Sequence, residues 1–414
     1  MIAPRVNFPR LQHDIETLAQ IGRAEDLGIH RMAFSDADMQ GRAWLTQRIK
    51  QAGLDFFADG AANLHGRLNW DPAQPSVITG SHIDTVPGAG HLDGALGVLA
   101  GLECLRRLKE LNVPLARPVE LISFTDEEGR FGGMPGSMAL AGKLTPESIR
   151  AAKDLQGLTL VDAMRRHGLD ASHLLRAQRS PESIYAYVEL HVEQGPVLDR
   201  RGLKIGVVEG IVGLFKWNVR FLGTANHAGS TPMDMRQDAF GGVAELSMAI
   251  PRILEENGGG RSVATIGRVQ LSPGAPNVVP GVAEFSVEVR DIDSAVLAEL
   301  SQAFRRAMSA IARRRSLMFE FEVLSELVPV KCDTSVMAAI EGSAAALSEQ
   351  ALRLPSGAAH DAGQLAGVTR VGMIFVPSKD GRSHSPAEWT SWEAIEAGAN
   401  VLLGTLQHLA SSRA

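Results

Sequence analysis

The sequence predicts an α/β protein of two domains, one α/β with a largely parallel mixed sheet and one α+β, the second inserted into the first. Three observations point there. Strand and helix patterns alternate through roughly the first half of the chain, the signature of a parallel sheet with crossover helices. Between about 211 and 327 the order changes to β-α-β-β-α-β. And 414 residues exceed the roughly 250–300 at which a single hydrophobic core stops growing.

The elements follow in order. Residues 35–50 read as a helix opened by Ser35, with Asp38 three positions on, and stopped by Gly53. Residues 76–79 form a short β-rich run that ends at Gly80-Ser81-His82. A helix is expected over 95–111, with Leu99, Leu102, Leu105 and Leu108 at three-residue steps before Asn112 and Pro114. Strands follow at 118–124, ending in Thr125-Asp126-Glu127-Glu128-Gly129, and at 184–190, ending at His191. The inserted part reads as strand 214–221, helix 240–256, strand 262–271, strand 282–290, helix 294–314 and strand 317–323. In 282–290 the alternation is clean: Val282, Glu284, Ser286, Glu288 and Arg290 share one face, and Phe285, Val287 and Val289 the other. This order is the ferredoxin-like arrangement. A buried-strand pattern returns at 371–377, and a helix over 392–409 closes the chain. The domains are therefore expected at 1–210 with 328–414, and at 211–327.

Composition excludes several classes. Lys+Arg 41 against Asp+Glu 47 gives a net charge of −6, so neither nucleic acid nor an anionic membrane is an expected partner. No window approaches the ~20 apolar residues of a membrane helix, and the first ten residues lack the apolar stretch of a secretory signal. A cytoplasmic enzyme is expected. Cys104 and Cys332 are too few for a disulfide framework or a thiolate zinc site. Any metal must be held by imidazole and carboxylate.

Those groups occur where a site would form. His82, Glu127, Glu128, His191 and His384 are each read as lying beyond the end of a strand, and Asp93 lies in the loop between His82 and the helix at 95. Ligands of open α/β sheets bind outside the strands' carboxyl ends. Taken singly, each residue reads as a satisfied polar or solvated side chain. Taken together, three imidazoles, one Asp and a Glu pair form a set suited to divalent cations. Two cations bridged by one carboxylate use five ligands and leave a position for water. Adjacent Glu side chains point differently, so one can bind metal while the other handles protons.

The motifs are recognisable. Gly80-Ser81-His82-Ile83-Asp84-Thr85-Val86-Pro87 with Leu92-Asp93-Gly94-Ala95-Leu96-Gly97 resembles the metal-binding signature of the amidase branch of the M20 metallopeptidase superfamily. Phe124-Thr125-Asp126-Glu127-Glu128-Gly129-Arg130-Phe131, Glu189-Leu190-His191-Val192-Glu193-Gln194-Gly195-Pro196 and Ser383-His384-Ser385-Pro386-Ala387-Glu388 resemble its hydantoinase/carbamoylase group. That group includes N-carbamoyl-L-amino acid hydrolases, β-ureidopropionases, and allantoate and ureidoglycolate amidohydrolases.

The resemblance implies a binuclear amidohydrolase that cleaves the terminal ureido group of an N-carbamoyl-L-amino acid. Allantoate or ureidoglycolate hydrolysis is the alternative, and a peptidase or aminoacylase a third reading. It further implies two divalent ions per subunit, Mn²⁺, Zn²⁺, Ni²⁺ or Co²⁺. His82 and His191 would hold one and Glu128 and His384 the other, with Asp93 bridging and Glu127 as general base. Asp84 would accept the second N–H of His82 and fix its tautomer. The inserted domain would serve as lid and as the surface of a homodimer. On it, the family's lid motifs match Asn226-His227-Ala228-Gly229 and Pro276-Asn277-Val278-Val279-Pro280-Gly281. His227 would then steady the oxyanion, Asn277 hydrogen-bond the substrate and Arg290 fork its carboxylate. Gln194 would contact the ureido group, and Gly357 and Ala358 belong to the family's glycine-rich binding loop. There Ala359 stands where the family usually has glycine.

Overall fold

The computed structural model describes residues 4–411. The chain folds as two compact units, Gly210–Lys331 and the two flanking segments together.

The flanking segments build the larger sheet. Its central four strands are parallel, in the order Val119–Phe124, Ser76–His82, Ile184–Val192, Val371–Val376. Antiparallel strands extend it on both sides: Leu64–Leu68 and Asp55–Ala58 on one, Ile205–Ile211 on the other. Strand Ser76–His82 and strand Val371–Val376 are buried along their whole length. A strand covered on both faces reads as a continuous apolar run, which is why Val371–Val376 is legible, whereas Ser76–His82 shows only its Val77-Ile78 core.

Helix Asp36–Gln51 starts at Ser35, whose side chain accepts from Asp38 N. Helix Ala95–Glu110 is buried on nearly every side, because it packs on the sheet and is covered by the helices Phe8–Leu18 and Trp392–Ser411. The 3-residue leucine steps therefore described only part of its buried surface. Its one buried anion, Glu103, is held by Arg10 at 2.7 Å.

The inserted unit has its own core of Trp217, Phe221, Phe285, Phe304 and Met308 between sheet and helices. Its strands run Val269–Ser272, Val282–Asp291, Gly213–Leu222, Met318–Leu327, all antiparallel, with helices Ala239–Asn257 and Ser294–Arg314. Numbered along the unit, the sheet order is 2-3-1-4, the ferredoxin-like order. Strand Val282–Asp291 alternates half-buried and buried without a break.

Two expectations need correction. The single strand expected at 262–271 is two, Val263–Thr265 and Val269–Ser272. Gly267 interrupts the ladder opposite Ser286, whose side chain and backbone bond Arg268 instead. The last strand runs to Leu327 rather than 323, past a bulge between Val323 and Ser325. The arginines late in helix Ser294–Arg314 are largely absorbed locally: Arg306 pairs with Glu299 at 2.6 Å, and Arg314 and Arg315 with Glu245. No helix of the described residues is long and apolar enough to cross a membrane.

Candidate metal centre

The four parallel strands deliver their carboxyl ends to one edge, and the chain reverses direction of growth there. From Ser76–His82 it crosses through helix Ala95–Glu110 to Val119–Phe124 on one side, and later adds Ile184–Val192 on the other. The gap between two such strands is where a doubly wound sheet opens a crevice. His82 and His191 stand on the two strands that flank it. Both lie inside the strand ends rather than beyond them, His82 as the last residue of its strand and His191 one short of the end.

Asp93 is the centre of the arrangement. Its Oδ1 faces His191 Nε2 at 3.2 Å and His82 Nε2 at 3.7 Å. Its Oδ2 faces His384 Nε2 at 3.4 Å, and that same nitrogen lies 3.4 Å from Glu128 Oε2. Two groups of three potential ligands share Asp93, His82–Asp93–His191 and Asp93–Glu128–His384, and a third, Glu189–His191–His360, shares His191. Glu127 Oε2 lies 3.3 Å from His82 Nε2.

The tautomers follow from the hydrogen bonds. His82 Nδ1 donates to the Asp84 carbonyl and His191 Nδ1 to the Val192 carbonyl, each at 2.9 Å. A carbonyl only accepts, so each ring carries a proton on Nδ1, and Nε2 is the atom each turns into the crevice. Here Asp84 departs from expectation. Its backbone oxygen orients His82, while its carboxylate stands 3.8 Å from that ring and accepts from Glu127 N and Glu128 N at 3.3 and 3.2 Å. The strand end turns back on itself, which brings the Asp84 carbonyl to the ring and leaves the side chain to hold the Glu pair. Gly94 lets the loop close over His82: its φ is +63°, and a Cβ there would sit 2.3 Å from Nε2.

Electrostatically the site calls for a cation. Burial pushes the Glu127 carboxyl well above its usual range, reinforced by Asp361 and Glu128. Burial and Asp93 raise Glu128 to about 8. Burial, with His191 beside it, lowers His82 to about 4. Burial would raise Asp93 too, but His191 and His384 outweigh it and hold that carboxylate well below its usual range. Burial works against a charged His191, yet the facing Asp93 lifts it to about 9, and the Asp93 hydrogen bond lifts His384 likewise. His82 Nε2, Glu128 Oε1 and Gln194 Oε1 are buried and make no hydrogen bond among the described residues. Buried polar atoms are normally paired; orphaned ligand atoms converging on one spot fit a divalent ion.

Other expected residues fall as follows. Gln194, at φ 57°, donates from Nε2 to Asp93 Oδ2 at 2.8 Å. Within the inserted unit, His227 and Asn277 come together on a two-stranded ribbon: His227 faces Val278 in register, and Ala228 N donates to the Asn277 carbonyl at 2.8 Å. The His227 ring is exposed, its Nδ1 accepting from Gly229 N and Ser230 N. Arg290 lies on the outer face of its strand and pairs with Glu288 at 2.6 Å. Gly357 and Ala358 follow strand Ala351–Ser356, where Ala358 N donates to Ser356 Oγ at 3.2 Å.

Sequence reasoning passed over Glu189, His360 and Asp361, all buried beside the site. Glu189 accepts from Ser81 Oγ, Tyr187 Oη and Ala362 N. His360 packs edge-on against His191, 4.5 Å between centroids, and bonds Ser356 Oγ at 2.8 Å. A signal for them was present: Glu189 lies two residues before His191 on the same face of its strand, and His360 and Asp361 belong to the same loop motif, 356–362, as Gly357.

Fold and site together define a hydrolase built on an imidazole–carboxylate centre. The profile of Peptidase family M20/M25/M40 matches residues 78–408. The chain belongs to this family, and within it to the hydantoinase/carbamoylase amidases, hydrolases of linear amide C–N bonds. It is 40% identical over 405 residues to an N-carbamoyl-L-amino acid amidohydrolase of Geobacillus stearothermophilus, covering 97% of this chain and 98% of that one. A ureidoglycolate hydrolase of Oryza sativa subsp. japonica is 34% identical over 96% of this chain and 84% of its own length. A crystal structure of a hydantoinase/carbamoylase family amidase from Burkholderia multivorans superposes with TM-score 0.93 at 34% identity, covering 99% of both chains.

Proposed function

We propose that the protein hydrolyses the terminal ureido C–N bond of an N-carbamoyl-L-amino acid, giving the amino acid, ammonia and carbon dioxide. The observation that carries this is Asp93, whose two oxygens face two separate ligand groups. His82 and His191 would hold one divalent cation, Glu128 and His384 the other, with Asp93 between them. Mn²⁺, Zn²⁺, Ni²⁺ and Co²⁺ all suit such ligands. When bound, the cations supply Lewis acidity that lowers the pKa of water and polarises the ureido carbonyl.

The chain's own residues do the rest. Glu127 Oε2 takes a proton from the attacking water and passes it to the leaving nitrogen. Asp84 holds the two N–H groups of Glu127 and Glu128, so the base and its ligand neighbour keep separate directions. Gln194 has an unengaged Oε1 with which to accept an N–H of the ureido group. His227 and Asn277 on their shared ribbon would contribute to the oxyanion and substrate contacts, Arg290 would take the substrate carboxylate, and Gly357 and Ala358 would offer backbone contacts.

Ureidoglycolate or allantoate hydrolysis is the second reading, favoured by the rice relative. Ammonia release from metal-reconstituted protein separates them, with N-carbamoyl-L-amino acids, N-carbamoyl-β-alanine, allantoate, ureidoglycolate and a dipeptide as substrates. Fastest turnover of an N-carbamoyl-L-amino acid is expected; preference for the dipeptide would sink the ureido reading. We further propose a homodimer through the inserted unit, in the cytoplasm. Strand Met318–Leu327 is an edge of its sheet and leaves Val323, Leu324 and Leu327 exposed, a pairing surface if left uncovered. Sedimentation analysis of the wild type and of Leu324→Glu tests it, the variant being expected to run as a monomer.

A further inference from the structure

We infer that Glu388 is a positioning residue that staples the loop carrying Asp93 to the loop carrying His384, and thereby sets the second cation position. The inference rests on the binuclear reading above.

Glu388 ends the Ser383-His384-Ser385-Pro386-Ala387-Glu388 motif, yet it faces away from solvent at 2% exposure. Its Oε1 accepts from Leu92 N at 2.8 Å and Asp93 N at 3.2 Å, across 296 positions of sequence. Its Oε2 lies 2.8 Å from Ser383 Oγ, which is itself 2.7 Å from Asp93 Oδ2. One carboxylate thus grips the backbone of the bridging ligand and, through a neighbouring hydroxyl, one oxygen of its side chain. The oxygen so held is Oδ2, the one facing His384 and Glu128. Oδ1, facing His82 and His191, is outside the staple.

The fit is close on the other side as well. Gly90 packs directly against Glu388, and a Cβ at 90 would lie 2.4 Å from both the Cβ and Oε1 of Glu388. No flexible surface contact has this form. A buried carboxylate that accepts two backbone N–H groups, seated against a glycine and sharing a serine hydroxyl with a ligand, is how outer groups orient metal ligands.

The test is Mn²⁺ titration of the metal-stripped full-length protein by calorimetry, with electron paramagnetic resonance for the spin-coupled pair and thermal melts of the stripped proteins as a check on folding. Wild type is expected to take two equivalents. Glu388→Ala and Gly90→Ala are expected to bind the second equivalent roughly 10–100-fold more weakly and to lose the coupled signal, the first equivalent changing little. Glu388→Gln retains an acceptor for both N–H groups and an NH₂ for Ser383 Oγ, so it should restore both equivalents. Ser383→Ala, which removes only the hydroxyl, should weaken the second equivalent even if Glu388→Ala fails to fold. The staple is overturned if Glu388→Ala or Ser383→Ala binds both equivalents as wild type does, or if Glu388→Gln is as impaired as Glu388→Ala. A wild type that takes fewer than two equivalents overturns the binuclear reading and the staple with it.

Discussion

In the proposed centre Asp93 would be the pivotal side chain, because a carboxylate can turn one oxygen toward each of two cations. The neighbouring pair Glu127-Glu128 would divide the remaining work, one as base and the other as ligand. Glu127→Gln is expected to cut turnover by about 10²–10⁴-fold while metal stoichiometry stays at the wild-type value, since Glu127 is outside all three three-ligand groups. Ammonia release beside metal analysis reads the two effects separately. A pH dependence follows from the imidazoles. In the metal-free protein His191 and His384 keep their protons up to about 9, whereas a cation needs the neutral ring. Metal affinity should therefore fall as pH drops below about 9, with protons released on binding. Calorimetry in buffers of different ionisation enthalpy counts them.

At the scale of elements, the site exists because four parallel strands end at one edge and the loops that leave them turn sharply. Gly94, at φ +63°, sits in one such turn. Gly94→Ala puts a methyl group on the Nε2 of His82, and metal affinity is expected to fall ~10-fold or more, measured by equilibrium dialysis. The same sheet hides a second polar cluster, centred on Glu120. Glu120, fully buried in strand Val119–Phe124, meets His65 Nδ1 at 2.9 Å, Arg67 Nε at 3.0 Å and Arg179 Nη1 at 2.6 Å. Removing one partner leaves charges unpaired in the interior, so Glu120→Ala is expected to cost about 3–5 kcal/mol. A urea midpoint shifted without a change of slope would record it.

For the whole molecule, length supplies a second core as well as a larger one. The inserted unit packs its own interior around Trp217, and its chain enters and leaves side by side, Ile211 paired with Val330. Residues 210–331 expressed alone are therefore expected to melt cooperatively, followed by circular dichroism. That fragment should bind no Mn²⁺, because all three three-ligand groups found among the described residues lie outside it.

Much of this was legible in the residues. Periodicity located helix Ser294–Arg314 and strand Val282–Asp291 to within a residue, since each has one covered face and one open face. Strand-end histidines, a Glu pair and a thiol-poor composition by themselves point to an imidazole–carboxylate centre. What sequence patterns lacked were contacts between distant positions. Nothing local tells that the Asp84 carbonyl rather than its carboxylate meets His82, or that Gly267 breaks a ladder against Ser286. Nor does it tell that Glu388 reaches back to Leu92 and Asp93. Local spacing determines which face a side chain takes; only the closed fold decides which atom it meets there, because partners hundreds of residues apart become neighbours when the sheet is assembled.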